Sequence, residues 1–133
     1  MVQAGRGNVK TLEGLISMAK RKIIEKVKNF LVESLEKKGI DVDKMILFGS
    51  YARGNPRRYS DIDLIIVSKY FRDKDLFEIV DMTGEIEWEL VRKTKKPFDI
   101  MYYSDREWRN SDSNLIINAA KNSGKVIYSA KAG

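Results

Sequence analysis

The sequence contains no cysteine and no histidine. Without cysteine there can be no disulfide, no thiolate zinc site and no thiol nucleophile. Without histidine the commonest general base near neutral pH is missing, and so is the commonest ligand for borderline metals. Any catalytic metal must therefore be held by oxygen donors, which favours Mg²⁺ with Mn²⁺ as the substitute, and carboxylates must do the acid–base work. Long apolar runs are missing too. No stretch approaches the ~20 apolar residues that span a bilayer, and the opening MVQAGRGN lacks a signal peptide's apolar segment. The expected location is cytoplasmic, with no membrane partner.

What is present is the balance of a folded domain. The chain has 133 residues, 43% hydrophobic and 33% charged, enough for one core and too little for two. Twenty-five Lys and Arg stand against nineteen Asp and Glu, for a net charge of +6. That excess suits anionic partners such as nucleotides and leaves direct nucleic-acid binding open. Nine of the cations fall in residues 1–40, mixed with four Glu along a helical pattern, and read mainly as a solvated face.

Residues 1–8, with two Gly and little apolar content, read as a disordered arm, and 9–133 as the domain. Leu12, Leu15, Ile16, Ala19, Ile23, Val27, Phe30, Leu31 and Leu35 follow helical spacing, giving a long helix that stops at Gly39 with its stripe in the core. Met45 to Phe48 and Asp61 to Val67 read as buried strands. Residues 73–95 return to helical spacing through Leu76, Ile79, Ile86 and Leu90, and Pro97 ends any helix before an extended Phe98 to Tyr103. A last helix from about Asp112 to Asn122 ends at Gly124 and leads to a strand in Val126 to Ser129. This order predicts an α/β (α+β) domain: a mixed sheet of about four strands with helices packed against it.

Between the first two strands the chain reads FGSYARGNPRRYSDIDL from Phe48 to Leu64. Gly49 and Ser50 end a strand and open a short helix, where free backbone N–H groups and a hydroxyl suit phosphate. The plainer alternative is an ordinary turn with a serine N-cap. Ten residues later come Asp61 and Asp63, and two residues apart in a strand sends both carboxylates from one face. Such a pair repels itself unless a divalent cation lies between them, or unless the strand simply begins in solvent. Asp99 lies in a later apolar run. It can join the pair if its strand lies beside the second one; the alternative is an ion pair with Lys95 or Lys96. Arg53, Arg57 and Arg58 sit in the intervening loop within reach of the same phosphates. A P-loop is excluded, because no GxxxxGK[ST] occurs.

GS, ten residues, DxD and a single Asp on a later strand together resemble the nucleotidyltransferase superfamily of DNA polymerase beta, and within it the minimal nucleotidyltransferases. The resemblance implies a single palm-like domain in which Gly49 and Ser50 hold the triphosphate of ATP or another NTP; among the loop arginines Arg53, directly after the GS turn, is the one favoured for the same phosphates, the alternative being that these arginines are simply solvated. It also implies that Asp61 and Asp63 ligate two Mg²⁺ ions, that Asp99 ligates the catalytic one, and that a nucleoside monophosphate passes to a hydroxyl by in-line displacement. The same resemblance implies a toxin–antitoxin pairing in which a HEPN-domain RNase is adenylylated and silenced. Two alternatives stay open: an antitoxin that silences its partner by occlusion alone, and a transferase for a small molecule or an RNA end. The sequence leaves homo-oligomerisation open.

Overall fold

The computed structural model describes residues 11–54 and 61–130. The arm 1–8 and the arginines Arg57 and Arg58 lie outside the described residues.

The first helix, α1, runs Leu12–Lys37. Thr11 caps it by accepting from the Gly14 N–H at 2.9 Å. The chain turns off at Gly39, whose φ of +81° favours a residue without Cβ. Val27, Leu31 and Leu35 are fully buried, and packing against the core begins near Ile23. The expectation that the whole stripe is core fails for its first two turns, because Leu12, Leu15 and Ile16 lie ahead of that packing and are exposed.

Strand β1 is Lys44–Phe48, followed by the one-turn helix α2 at Gly49–Ala52. Strand β2 is Ile62–Val67, and a 3₁₀ turn follows at Lys69–Phe71. Helix α3, Leu76–Thr94, starts with a capping box in which Asp75 accepts from the Glu78 N–H and Glu78 accepts from the Asp75 N–H. It stops at Lys95, which takes the left-handed conformation at φ +58°. Then come β3 at Phe98–Tyr103, α4 at Asp105–Arg109, α5 at Leu115–Ser123 and β4 at Lys125–Ser129.

The sheet has the order β3-β2-β1-β4. β1 is antiparallel to both β2 and β4, while β2 and β3 are parallel and joined by α3 as the crossover. Strand alternation then sorts the side chains. Met45, Leu47, Ile62, Leu64 and Ile66 face α1 and α3, whereas Ile46, Ile65 and Val67 face Trp108 of α4 and Ile117 and Ala120 of α5. The mixed four-stranded sheet with helices on its faces is the architecture expected from the sequence.

Candidate functional site

The C-terminal end of β1 and the N-terminal ends of β2 and β3 meet at one end of the sheet. Phe48 is the register partner of Asp63, and Asp63 is the register partner of Asp99 on the parallel strand beside it. Neighbouring strands lie about 4.8 Å apart, and residues paired in register leave the same face, so Asp63 and Asp99 are side by side on the α4/α5 face. Asp61 stands one residue ahead of β2, where the Ile62 N–H donates to the Pro97 carbonyl at 3.0 Å and ties the starts of β2 and β3 together.

Asp63 is half-buried, while Asp61 and Asp99 are exposed. Burial raises the Asp63 carboxyl above the ordinary carboxylate range, the charges of Asp99 and Asp61 push it further up, and the Arg53 guanidinium pulls it down. Three acids and one arginine therefore act on one point. Glu87 of α3 joins their field: burial raises its carboxyl first and Asp99 adds to that rise, against the hydrogen bond it accepts from the Tyr102 hydroxyl at 2.6 Å. The sequence reading missed Glu87, since one Glu in a Glu-rich helix gives no sign of its partner.

Gly49 closes the site on the β1 side. Its φ is +71°, and a Cβ built there would overlap Asp63 Oδ2 and lie 3.1 Å from Asp63 Cγ. Glycine is thus required twice, by the backbone conformation and by the carboxylate lying against it. Helix α2 begins at Gly49 itself with Phe48 as N-cap, so Ser50 sits in the first turn of the helix. The serine N-cap alternative is not realised. Arg53 ends α2, donates its N–H to the Gly49 carbonyl at 3.1 Å and leaves its side chain exposed near Asp63. The ion pairs among the described residues involve Glu25, Glu33, Asp105 and Glu89, so Asp99 is paired with neither Lys95 nor Lys96.

The donor set is all carboxylate, which is the chemistry of Mg²⁺ or Mn²⁺, and a cation would relieve both the burial of the Asp63 charge and its repulsion by Asp99 and Asp61. Among the described residues no three acidic side chains are close enough to hold an ion as they stand. The exposed Asp61 and Asp99 would have to move to close such a cage.

The family model described as "Nucleotidyltransferase domain" matches residues 21–127. A Methanocaldococcus jannaschii protein named as a candidate protein adenylyltransferase, MJ1305, is 50% identical over 40 residues, which cover 30% of this chain and 27% of that protein. The matched stretch therefore spans about a quarter of that relative. Among solved structures, a candidate nucleotidyltransferase from Sulfolobus solfataricus aligns over 98% of this chain and 96% of its own, with a TM-score of 0.61 at 16% identity. A toxin–antitoxin structure with AMP-PNP aligns over 77% of this chain and 73% of its own, with a TM-score of 0.55 at 22% identity. A chain from the complex of tri-AMPylated Shewanella oneidensis HEPN toxin with MNT antitoxin aligns over 84% of this chain and 73% of its own, with a TM-score of 0.53 at 19% identity. At these identities the structures speak for the fold.

Proposed function

This chain belongs to the nucleotidyltransferase domain family, and from that premise we propose that it moves AMP from ATP, with Mg²⁺, to a hydroxyl of a HEPN-domain partner protein. The observation that carries the reading is the register pair Asp63–Asp99 with Asp61 beside it and Gly49 packed on Asp63. The relatives' descriptions support it: one names protein adenylyltransfer, another an AMPylated HEPN toxin held with an MNT antitoxin. Among the described residues no helix is long and apolar enough to cross a membrane, and a cytoplasmic site of action fits the proposal.

In this mechanism the first turn of α2, at Gly49 and Ser50, presents N–H groups and a hydroxyl to the triphosphate. Arg53 adds a cation beside it. Asp61, Asp63 and Asp99 would hold two Mg²⁺ ions, which supply charge neutralisation for nucleophile and leaving group when bound. Asp99, exposed near the start of β3, accepts the proton of the attacking hydroxyl. The hydroxyl oxygen forms a bond to the α-phosphorus, the bond from the α-phosphorus to the bridging oxygen breaks, and pyrophosphate leaves with that electron pair. On the acceptor, the added phosphate charge would oppose binding of RNA phosphates near an RNase site.

The test is intact-mass measurement of the host's HEPN-domain protein after incubation with this protein, ATP and Mg²⁺. A gain of whole AMP units that disappears with EDTA is expected. No gain, together with full silencing of the RNase by the Asp61→Asn variant, would replace transfer by occlusion.

A further inference from the structure

Strand β3 forms one open edge of the sheet, since among the described residues it pairs with β2 alone. The hydrogen bonds at its two ends show which way its backbone points. The Ile62 N–H donates to the Pro97 carbonyl at 3.0 Å and the Ser68 N–H to the Tyr103 carbonyl at 3.1 Å, in phase with the pairing of Val67 with Tyr103. Backbone direction alternates along a strand. Asp99, Met101 and Tyr103 therefore turn their N–H and C=O groups to β2, and Phe98, Ile100 and Tyr102 turn theirs to the open side.

This edge lacks the usual protection. Its sequence FDIMYY holds neither lysine nor proline, and its pairing with β2 runs from Phe98 to Tyr103 without a bulge. The opposite edge, β4, carries Lys125 and meets β1 through a register shift between Met45 and Ile46. Every residue of β3 keeps some exposure, whereas in β2 only Asp63 does. A row of outward N–H and C=O groups is matched by an extended polypeptide.

The position of Asp99 decides what such a segment would carry. Because the Asp99 backbone is turned to β2, a residue opposite it on an added antiparallel strand makes the close, non-hydrogen-bonded kind of pair. The Cα atoms of that pair lie about 4.5 Å apart, with both side chains on one face. That residue would stand to Asp99 as Asp99 stands to Asp63. Its neighbours on the added strand turn to the α3 face, where Glu87 stands over β3, bonded to the Tyr102 hydroxyl and within the field of Asp99. A basic residue there is complementary in charge.

We propose that the acceptor protein enters as a fifth strand: an extended segment pairs antiparallel with the open edge of β3 and sets its hydroxyl residue opposite Asp99, with a lysine or arginine flanking it on the α3 face. The hydroxyl gives its proton to Asp99, its oxygen bonds to the α-phosphorus and pyrophosphate leaves, as in the reaction above. The role of that hydroxyl rests on the transferase reading, while the strand pairing is tested apart from it.

The experiment follows amide exchange by NMR in the isotopically labelled full chain, alone and with the host's unlabelled HEPN-domain protein, with AMP transfer weighed in parallel. Exchange at Phe98, Ile100 and Tyr102 should slow on binding, while Asp99, Met101 and Tyr103, already bonded to β2, should change little. Ile100→Pro removes one outward N–H and no bond to β2, and Ile100→Ala truncates the same side chain but keeps that N–H. Both should keep the wild-type KM for ATP, and proline should raise the KM for the acceptor about tenfold over alanine. Should proline unfold the edge, the exchange pattern of the wild type decides alone. No slowing at those amides while AMP is transferred, or one acceptor KM for both variants, would overturn the strand and leave the transferase. No slowing and no transfer would overturn both. Slowing without any mass gain would uphold the strand and remove the transfer.

Discussion

The carboxylate of Asp63 occupies the space that a Cβ on Gly49 would fill. One atom pair thus couples the turn at Gly49 to the strand that carries the acids, and a side chain on Gly49 would displace the Asp63 carboxylate.

Gly49→Ala should lower stability and abolish transfer. Left-handed backbone costs a non-glycine residue about 1–2 kcal/mol, and the overlap with Asp63 adds to that. Thermal unfolding should fall by roughly 4–8 °C. Gly54→Ala is the internal control, because its φ is +72° but nothing lies within 4 Å of the added carbon. Equal losses in the two variants would remove the contact with Asp63 from the explanation.

Asp63→Asn should nearly abolish transfer without loss of stability. In the folded state the Asp63 pKa is above its ordinary value, so the ionised carboxylate disfavours the native state at neutral pH. That penalty is present above the folded pKa and is relieved as pH falls below the unfolded value of 3.8. The variant should be at least as stable as wild type at pH 7, and the difference should shrink on acidification. Denaturant titrations at several pH values would show it, and a variant markedly less stable at pH 7 would contradict the repulsion.

Asp105 behaves in the opposite sense. It accepts two hydrogen bonds from Arg72, one from Nε at 2.7 Å and one from Nη2, with Arg109 also near, and Arg72 holds its carboxyl down at about 2. Its contribution is complete above the ordinary carboxylate value and is lost as pH falls through the folded one. Asp105→Asn should therefore destabilise the protein at pH 7, with the gap closing between about pH 4 and pH 2. Acid unfolding of both proteins, followed by circular dichroism, measures this directly. A gap unchanged at pH 2 would mean that packing of α4, not charge, is responsible.

Tyr102→Phe should cost roughly 1–3 kcal/mol, because Glu87 would lose its hydroxyl donor in a partly buried place. Burial, followed by the charge of Glu87, holds the Tyr102 hydroxyl far above its ordinary range, so it remains a donor throughout the working pH range. The paired change Tyr102→Phe with Glu87→Gln should lose less than the sum of the single changes. Strict additivity in denaturant melts would dissociate the pair.

Much of the fold was legible because apolar periodicity distinguishes strands such as Ile62 to Val67 from helices such as α3, and because Gly39, Pro97 and Gly124 punctuate them. Pairing was not, since periodicity says which face a residue takes and nothing about its neighbour across the sheet. That Asp99 stands beside Asp63 became definite only with the parallel register of β2 and β3. Helix α4 went unread although Ser104 and Glu107 form a capping box visible as S-x-x-E. The 3₁₀ turn at Lys69–Phe71 has no such sequence signal. Exposure was misjudged where a helix outruns its support, as at Leu12 and Leu15. The roles of Gly49, Ser50, Arg53 and the three aspartates rest on the family motif and on the tests above.

The order of the strands also separates the site from its cover along the chain. β1, β2 and β3 pair within residues 44–103, and every described acid of the site lies inside that span. β4 comes last and must return to pair with β1 more than 70 residues behind it. The three strands that hold Asp63 and Asp99 pair without β4, which leaves β1 with an open edge until β4 joins it. A chain truncated near residue 110 would leave Ile46 and Ile65 without Ile117 and Ala120 to cover them. The acids of the site and the cover of the face beneath them are thus carried by different stretches of the chain.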